Sequence, residues 1–133
     1  GLMSTVADYL TFVRMLVNNG EWNGVRILQP ETLELMRTNQ LADGVAVKFP
    51  NWDMRGTVFG LGFALKAEVA EDEPSAALGE YHWGGMAGTH SWMSPVGGPD
   101  TNISGLCMTQ VMPAFWHQFS HDFKQLAYEL TAP

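Results

Sequence analysis

His117 and His121 stand four residues apart, a spacing that can hold a metal ion across one turn of a helix. No acidic third ligand of evident geometry accompanies them. In the helix that the neighbouring apolar residues predict, both point away from the Trp116, Phe119 and Phe123 stripe, towards solvent. They read as two exposed histidines, and no metal is expected. His90-Ser91 pairs a base with a hydroxyl, but neighbours in a strand point to opposite faces and cannot readily meet. Cys107, the only cysteine, sits in an apolar stretch and reads as a small core residue. The segment Tyr81-His82-Trp83-Gly84-Gly85-Met86-Ala87-Gly88-Thr89-His90-Ser91-Trp92-Met93-Ser94-Pro95 is different. Its three glycines within five residues let a ligand or another backbone come close, and aromatic side chains flank them. By composition it fits a ligand-binding edge and a glycine-kinked strand equally.

Several complete active sites are absent from these residues. There is no Gly-x-Ser-x-Gly elbow, His-Glu-x-x-His helix or phosphate-binding loop. Ser-x-x-Lys, Ser-x-Asn, Tyr-x-Asn and Cys-x-x-Cys are missing too.

The elements that must position the glycine-aromatic segment follow from periodicity. Val6, Tyr9, Leu10, Val13, Leu16 and Val17 fall on one helical face. Ser4 or Thr5 can cap the helix, Asp8 adds charge at its start, and Asn18-Asn19-Gly20 supplies a left-handed exit. A helix is expected over residues 5–19, then an extended piece over 25–28. Pro30 suits a helix start, and a second helix is expected over 30–38. Residues 40–56 hold no period and read as loop.

Beyond them the period changes to two. Phe59, Leu61, Phe63 and Leu65 alternate with small residues as one strand. Residues 71–75 form an acidic, proline-bearing surface connection. Residues 81–83 and 89–94 read as a second strand interrupted by glycines, and 103–112 as a third. Trp116, Phe119, Phe123, Leu126 and Leu130 trace one face of a last helix. The expectation is an α+β fold with an antiparallel sheet of about three strands covered by helices. Residues 1–56 would form a helical segment and loop, and residues 57–133 the strands and C-terminal helix, together one incomplete domain.

The 133 residues are 46% apolar and 16% charged, an ordinary globular balance that argues against disorder. Seven Lys and Arg against fourteen Asp and Glu give a net charge of −7, which disfavours nucleic acid and anionic membrane surfaces. The apolar stretches fall far short of the ~20 residues of a membrane span. No basic segment followed by an apolar one marks a signal peptide in these residues, and the compartment stays open between cytoplasm and periplasm. Gly1-Leu2-Met3 leads almost at once into a helix, as a cut inside a longer protein would.

The glycine-aromatic segment resembles the third motif of the serine β-lactamase, penicillin-binding protein and class C-like esterase superfamily. That motif is Lys-Thr-Gly in many members and Trp-Gly-Gly in the esterase-like branch. Trp83-Gly84-Gly85, followed by Met86-Ala87 and Gly88, resembles the latter. Gly1-Leu2-Met3-Ser4-Thr5 with Asp8, Tyr9, Phe12, Met15 and Leu16 is similar to a family helix. Phe59-Gly60-Leu61-Gly62-Phe63 is similar to a family strand, and Met108-Thr109-Gln110 with the last helix to its C-terminal end. The resemblance covers nearly the whole chain in order.

It implies a C-terminal part of a hydrolase acting on esters or amides through an acyl-serine, without cofactor or metal. The nucleophile and base would lie upstream, so this chain would be one wall of the active site and inactive by itself. Trp83, Gly84 and Gly85 would bind substrate. Trp83 would replace the motif lysine and favour neutral esters over β-lactam carboxylates. The Met86 backbone N–H would be one of two oxyanion donors, a role worth roughly 10²–10³ in rate. The family partner of residues 103–112 on one side is a strand from the parent's beginning. Without it an open edge remains, and a homo-oligomer is expected. The alternative is a non-catalytic module whose glycine-aromatic segment holds a peptide or sugar.

Overall fold

The computed structural model describes residues 2–50, 53–94, 103–114 and 117–131. It is an α+β arrangement of three helices and antiparallel sheet. Helix α1 (Val6–Val17) is capped by Thr5, whose hydroxyl accepts from the Asp8 N–H at 3.2 Å. It ends through Asn19 and Gly20, both at positive φ. A Cβ on Gly20 would strike the Leu28 carbonyl, so this exit needs glycine for space as well as for φ. Strands β1 (Glu21–Trp22) and β2 (Val25–Arg26) form a small hairpin, and α2 (Pro30–Met36) starts on its proline.

The main sheet has five strands in sequence order: β3 (Thr57–Phe59), β4 (Ala64–Lys66), β5 (Tyr81–Gly84), β6 (His90–Met93) and β7 (Gly105–Cys107). The count exceeds the expected three because two stretches read as single strands are hairpins. Gly60 and Gly62 turn the chain, so Phe59 pairs with Ala64. The three glycines at 84–88 do not interrupt a strand; they reverse it, and Trp83 pairs with Ser91. The third strand shrinks from residues 103–112 to 105–107. Beyond it Thr109 Oγ1 and the Val111 N–H both donate to the Ala87 carbonyl, drawing the chain over the hairpin tip.

Alternation divides the sheet faces. Tyr81, Met93 and Leu65 pack with Val13, Met15 and Leu16 of α1 and Leu33 of α2 in the main core. Val6, expected on that face, is exposed, because α1 meets the core mainly through its C-terminal half, at Val13, Met15 and Leu16. His82, His90 and Trp92 lie on the opposite face, under α3 (Phe119–Thr131). Cys107, expected in the core, is only partly buried on the outermost strand.

Helix α3 turns a different side inward from the one its apolar stripe suggests. Phe123, Leu126 and Leu130 are exposed, while Tyr128 is buried. Trp116 lies outside the described residues. The reason is Glu80, just before β5, which is fully buried. Its carboxylate accepts from Tyr128 Oη and pairs with Lys124 Nζ. Burial pushes the Glu80 carboxyl up, while Lys124 and Tyr128 pull it back. A buried carboxylate without partners costs about 3–5 kcal/mol, so the polar clamp holds the Lys124 and Tyr128 side of α3 against the start of β5.

Removing one partner of such a pair leaves a charge that must be neutralised. Lys124→Met should destabilise the chain by about 3 kcal/mol. Glu80→Met/Lys124→Met should recover part of that loss, both read from urea unfolding midpoints.

Candidate functional site

Residues 83–88 form the end of β5 and the turn into β6. The Gly85 N–H donates to the Thr89 carbonyl at 2.7 Å and the Gly88 N–H to Gly85 at 2.9 Å. Gly88 has φ +81, and a Cβ there would meet Thr109 Oγ1 and the Phe119 ring. Around Gly85 a Cβ would reach only Thr89 atoms, at 3.9 Å or more. Gly88 is thus required by the fold, while Gly85 leaves room that the fold does not need.

Trp83, Gly84, Gly85 and Met86 are brought together on this one corner. Trp83 is partly buried and packs edge-on against Phe59 at 5.2 Å and Phe49 at 5.6 Å. Phe49 comes from the loop before β3, and no periodicity marked it beforehand. Met86 is 57% exposed. Its carbonyl accepts from the Ala114 N–H at 2.9 Å. Among the described residues no acceptor meets its own N–H. Ala114 and Thr109 therefore fix the Met86–Ala87 and Ala87–Gly88 peptide groups, a role that only the folded chain reveals.

The opposite face carries a histidine pair. His82 and His90 are 5.5 Å apart between ring centroids, and His90 stacks on Trp92 at 6.0 Å. Burial holds His82 well below the usual imidazole range, with His90, Lys124 and Lys66 adding repulsion. Burial and Lys124 likewise push His90 down to about 4. Both are neutral near pH 7. Ser91 is buried on the other face, so His90 and Ser91 do not meet. His117 and His121 are exposed, and no group of three metal-ligating side chains occurs among the described residues.

A groove of about 580 Å³ lies between residues 45–49, 53–56 and strand β3. Beside it Arg55 bonds both Asp53 and Asp72 and holds their carboxyls low. Lys66 pairs with Glu73 at 2.6 Å and donates to the Arg55 carbonyl.

No protein-family model matches the chain. Protein Rv1367c of Mycobacterium tuberculosis strain H37Rv and Uncharacterized protein MT1414 of strain CDC 1551 are each 42% identical over 96 residues, or 67% of this chain. The chain spans only 23% of the length of these curated relatives. Among solved structures, a "putative beta-lactamase" from Bacteroides dorei DSM 17855 superposes with a TM-score of 0.61 at 18% identity. The match covers 95% of this chain and 40% of that one. The fold is β-lactamase-like, as the motif resemblance implied. No helix among the described residues is long and apolar enough to cross a membrane.

The two turn glycines differ in what the fold asks of them. Gly88→Ala should cost at least about 2 kcal/mol from overpacking and left-handed strain. Gly85→Ala should leave thermal unfolding and the amide NMR spectrum near wild type.

Proposed function

We propose that the chain is the C-terminal part of a β-lactamase-like serine hydrolase that acts on esters or amides. In this reading a serine upstream attacks the substrate carbonyl, the leaving group departs with a proton, and water then hydrolyses the acyl-serine. The present residues supply one wall of that site. Trp83 and the open backbone of Gly84 and Gly85 line the acyl group. The Met86 N–H donates to the oxyanion, where charge develops in the transition state. An uncharged indole in place of a cation suits neutral esters, since it offers a substrate carboxylate no ion pair. The observation that carries the reading is the hairpin corner itself. Within a β-lactamase-like fold, Trp83, the space at Gly85 and the exposed Met86 stand together there.

The test uses the longer polypeptide together with this chain. The 133 residues hold no Ser-x-x-Lys, so they should not turn over nitrocefin or p-nitrophenyl acetate above a heat-treated control. In the longer protein Trp83→Ala should lower kcat/KM for p-nitrophenyl esters at least about tenfold, the equivalent of about 1.4 kcal/mol. Wild-type kinetics in that variant, or acylation of a serine within this chain by a fluorophosphonate, would overturn the reading.

We also propose that the isolated chain self-associates. Among the described residues β7 pairs only with β6, which leaves its other edge open. Residues 103–112 carry no charge to discourage a second strand, and Phe123, Leu126 and Leu130 add exposed apolar surface. Light scattering at tens of micromolar, roughly the range where exposed edges pair, should report a dimer or larger. A clean monomer would refute it.

A further inference from the structure

The sheet face under α3 carries ionisable groups that the acyl-hydrolase reading leaves unused. His82 of β5 and His90 of β6 share that face, partly buried, with ring centroids 5.5 Å apart. Strand β4 brings Lys66 towards them, paired with Glu73, and the residue before β5 is Glu80. Strand β7 sets the Cys107 thiol opposite His90 in register, with its acidity weakened by burial. Helix α3 brings Lys124 and Tyr128, both bonded to Glu80, and the exposed His121 beside Asp122. Glu80 is the one fully buried carboxylate among the described residues, and these two partners already engage it. A proton on either imidazole therefore sets a new cation near Lys124 without an unengaged buried carboxylate to meet it.

We propose that His82 and His90 form an acid-sensitive latch: α3 docks on the sheet while both imidazoles are neutral and lifts from it when they take up protons. The sign follows from burial. It holds both imidazoles below their ordinary range, His90 at about 4, so the opened form binds protons first as pH falls below 6.5. Their contribution to docking is intact above that value and is lost towards about 4. Glu80 works the other way, because burial raises its carboxyl and the docked form protonates it more readily. It offers one proton against the two of the histidines. The lift reaches the hairpin corner through Phe119, whose ring stands where a Cβ on Gly88 would fall. With α3 raised, the turn that presents the Met86 N–H loses that support. The catalytic consequence rests on the acyl-hydrolase reading; the latch itself does not.

Hydrogen exchange read by mass spectrometry in the 133-residue chain tests the latch without turnover. Rates at about pH 7.5 and about pH 5 are corrected for the intrinsic pH dependence of amide exchange. Protection of α3 and of residues 84–88 should fall at least about tenfold at the lower pH, while α1 keeps its protection. His82→Gln/His90→Gln, which cannot take up these protons, should hold α3 protection constant between the two. Unchanged protection of α3 in the unmodified chain, an equal loss in α1, or an undiminished loss in the double variant would overturn the proposal. If that variant misfolds, imidazole ¹³Cε1 titration of the unmodified chain decides. Midpoints for His82 and His90 below 6.5 that coincide with the loss of α3 protection support the latch; both rings titrating at 6.5 under a still-protected α3 refute it. An inactive longer protein would remove the hydrolase reading and leave the exchange result standing.

Discussion

One buried carboxylate orders much of this molecule. Glu80 lies at the foot of β5 with no exposure, and it finds its partners on a helix 44 and 48 residues further on. A charge taken out of water must be met by hydrogen bonds or protonated. The chain meets it with Lys124 and Tyr128, and that requirement fixes where α3 sits and which side it turns inward. Leu126 and Leu130 of the α3 stripe are left facing outward, while Phe119 and Phe123 reach the sheet at Gly88 and Trp92. Trp92 and Phe123 meet at its margin, 5.9 Å apart. The sheet is thus held from one side by apolar packing of α1 and α2 and from the other by a small set of polar contacts.

The hairpin corner depends on both sides. Tyr81 enters the apolar core and Glu80 the polar clamp, so the start of β5 is gripped on both faces. From that fixed base the strand projects Trp83 and then the glycine turn. The turn is tied down by backbone bonds to residues 89, 111 and 114 and by Thr109. Such a corner can present an N–H at a fixed place without reorganising, which is what stabilising a developing charge requires. The neutral histidines beneath add bulk without charge, leaving the corner's electrostatics to its peptide groups.

Much of this was legible in the order of residues. Helices α1 and α2 were visible in apolar spacing, capping residues and Pro30, because helical period and helix ends are local properties. The antiparallel character of the sheet was visible as well. What escaped was whether a glycine kinks or reverses a strand: Gly60 and Gly62, and Gly84 to Gly88, allow either. Pairing partners decide, and they lie elsewhere in the chain. The rotation of α3 escaped for a similar reason. Phe119, Phe123, Leu126 and Leu130 form a clear stripe, but Glu80 lies far away in sequence and carries no local sign of burial. Trp83 to Met86 and Thr109 were singled out through motif resemblance, whereas Phe49 and Ala114 carry no pattern and meet the corner only through tertiary structure.

The strand order of the main sheet also bears on how the chain reaches this state. Each of β3 to β7 pairs with its neighbour in sequence, so every pairing closes a short loop and costs little chain entropy. A meander of this kind has low contact order and can zip up from adjacent hairpins, which favours rapid assembly. The contact between Glu80 and α3 is the opposite case, since it must gather residues 44 and 48 positions apart. Glu80 is therefore answered only where α3 packs on the sheet, and its carboxylate exchanges water for Lys124 and Tyr128 across that long separation.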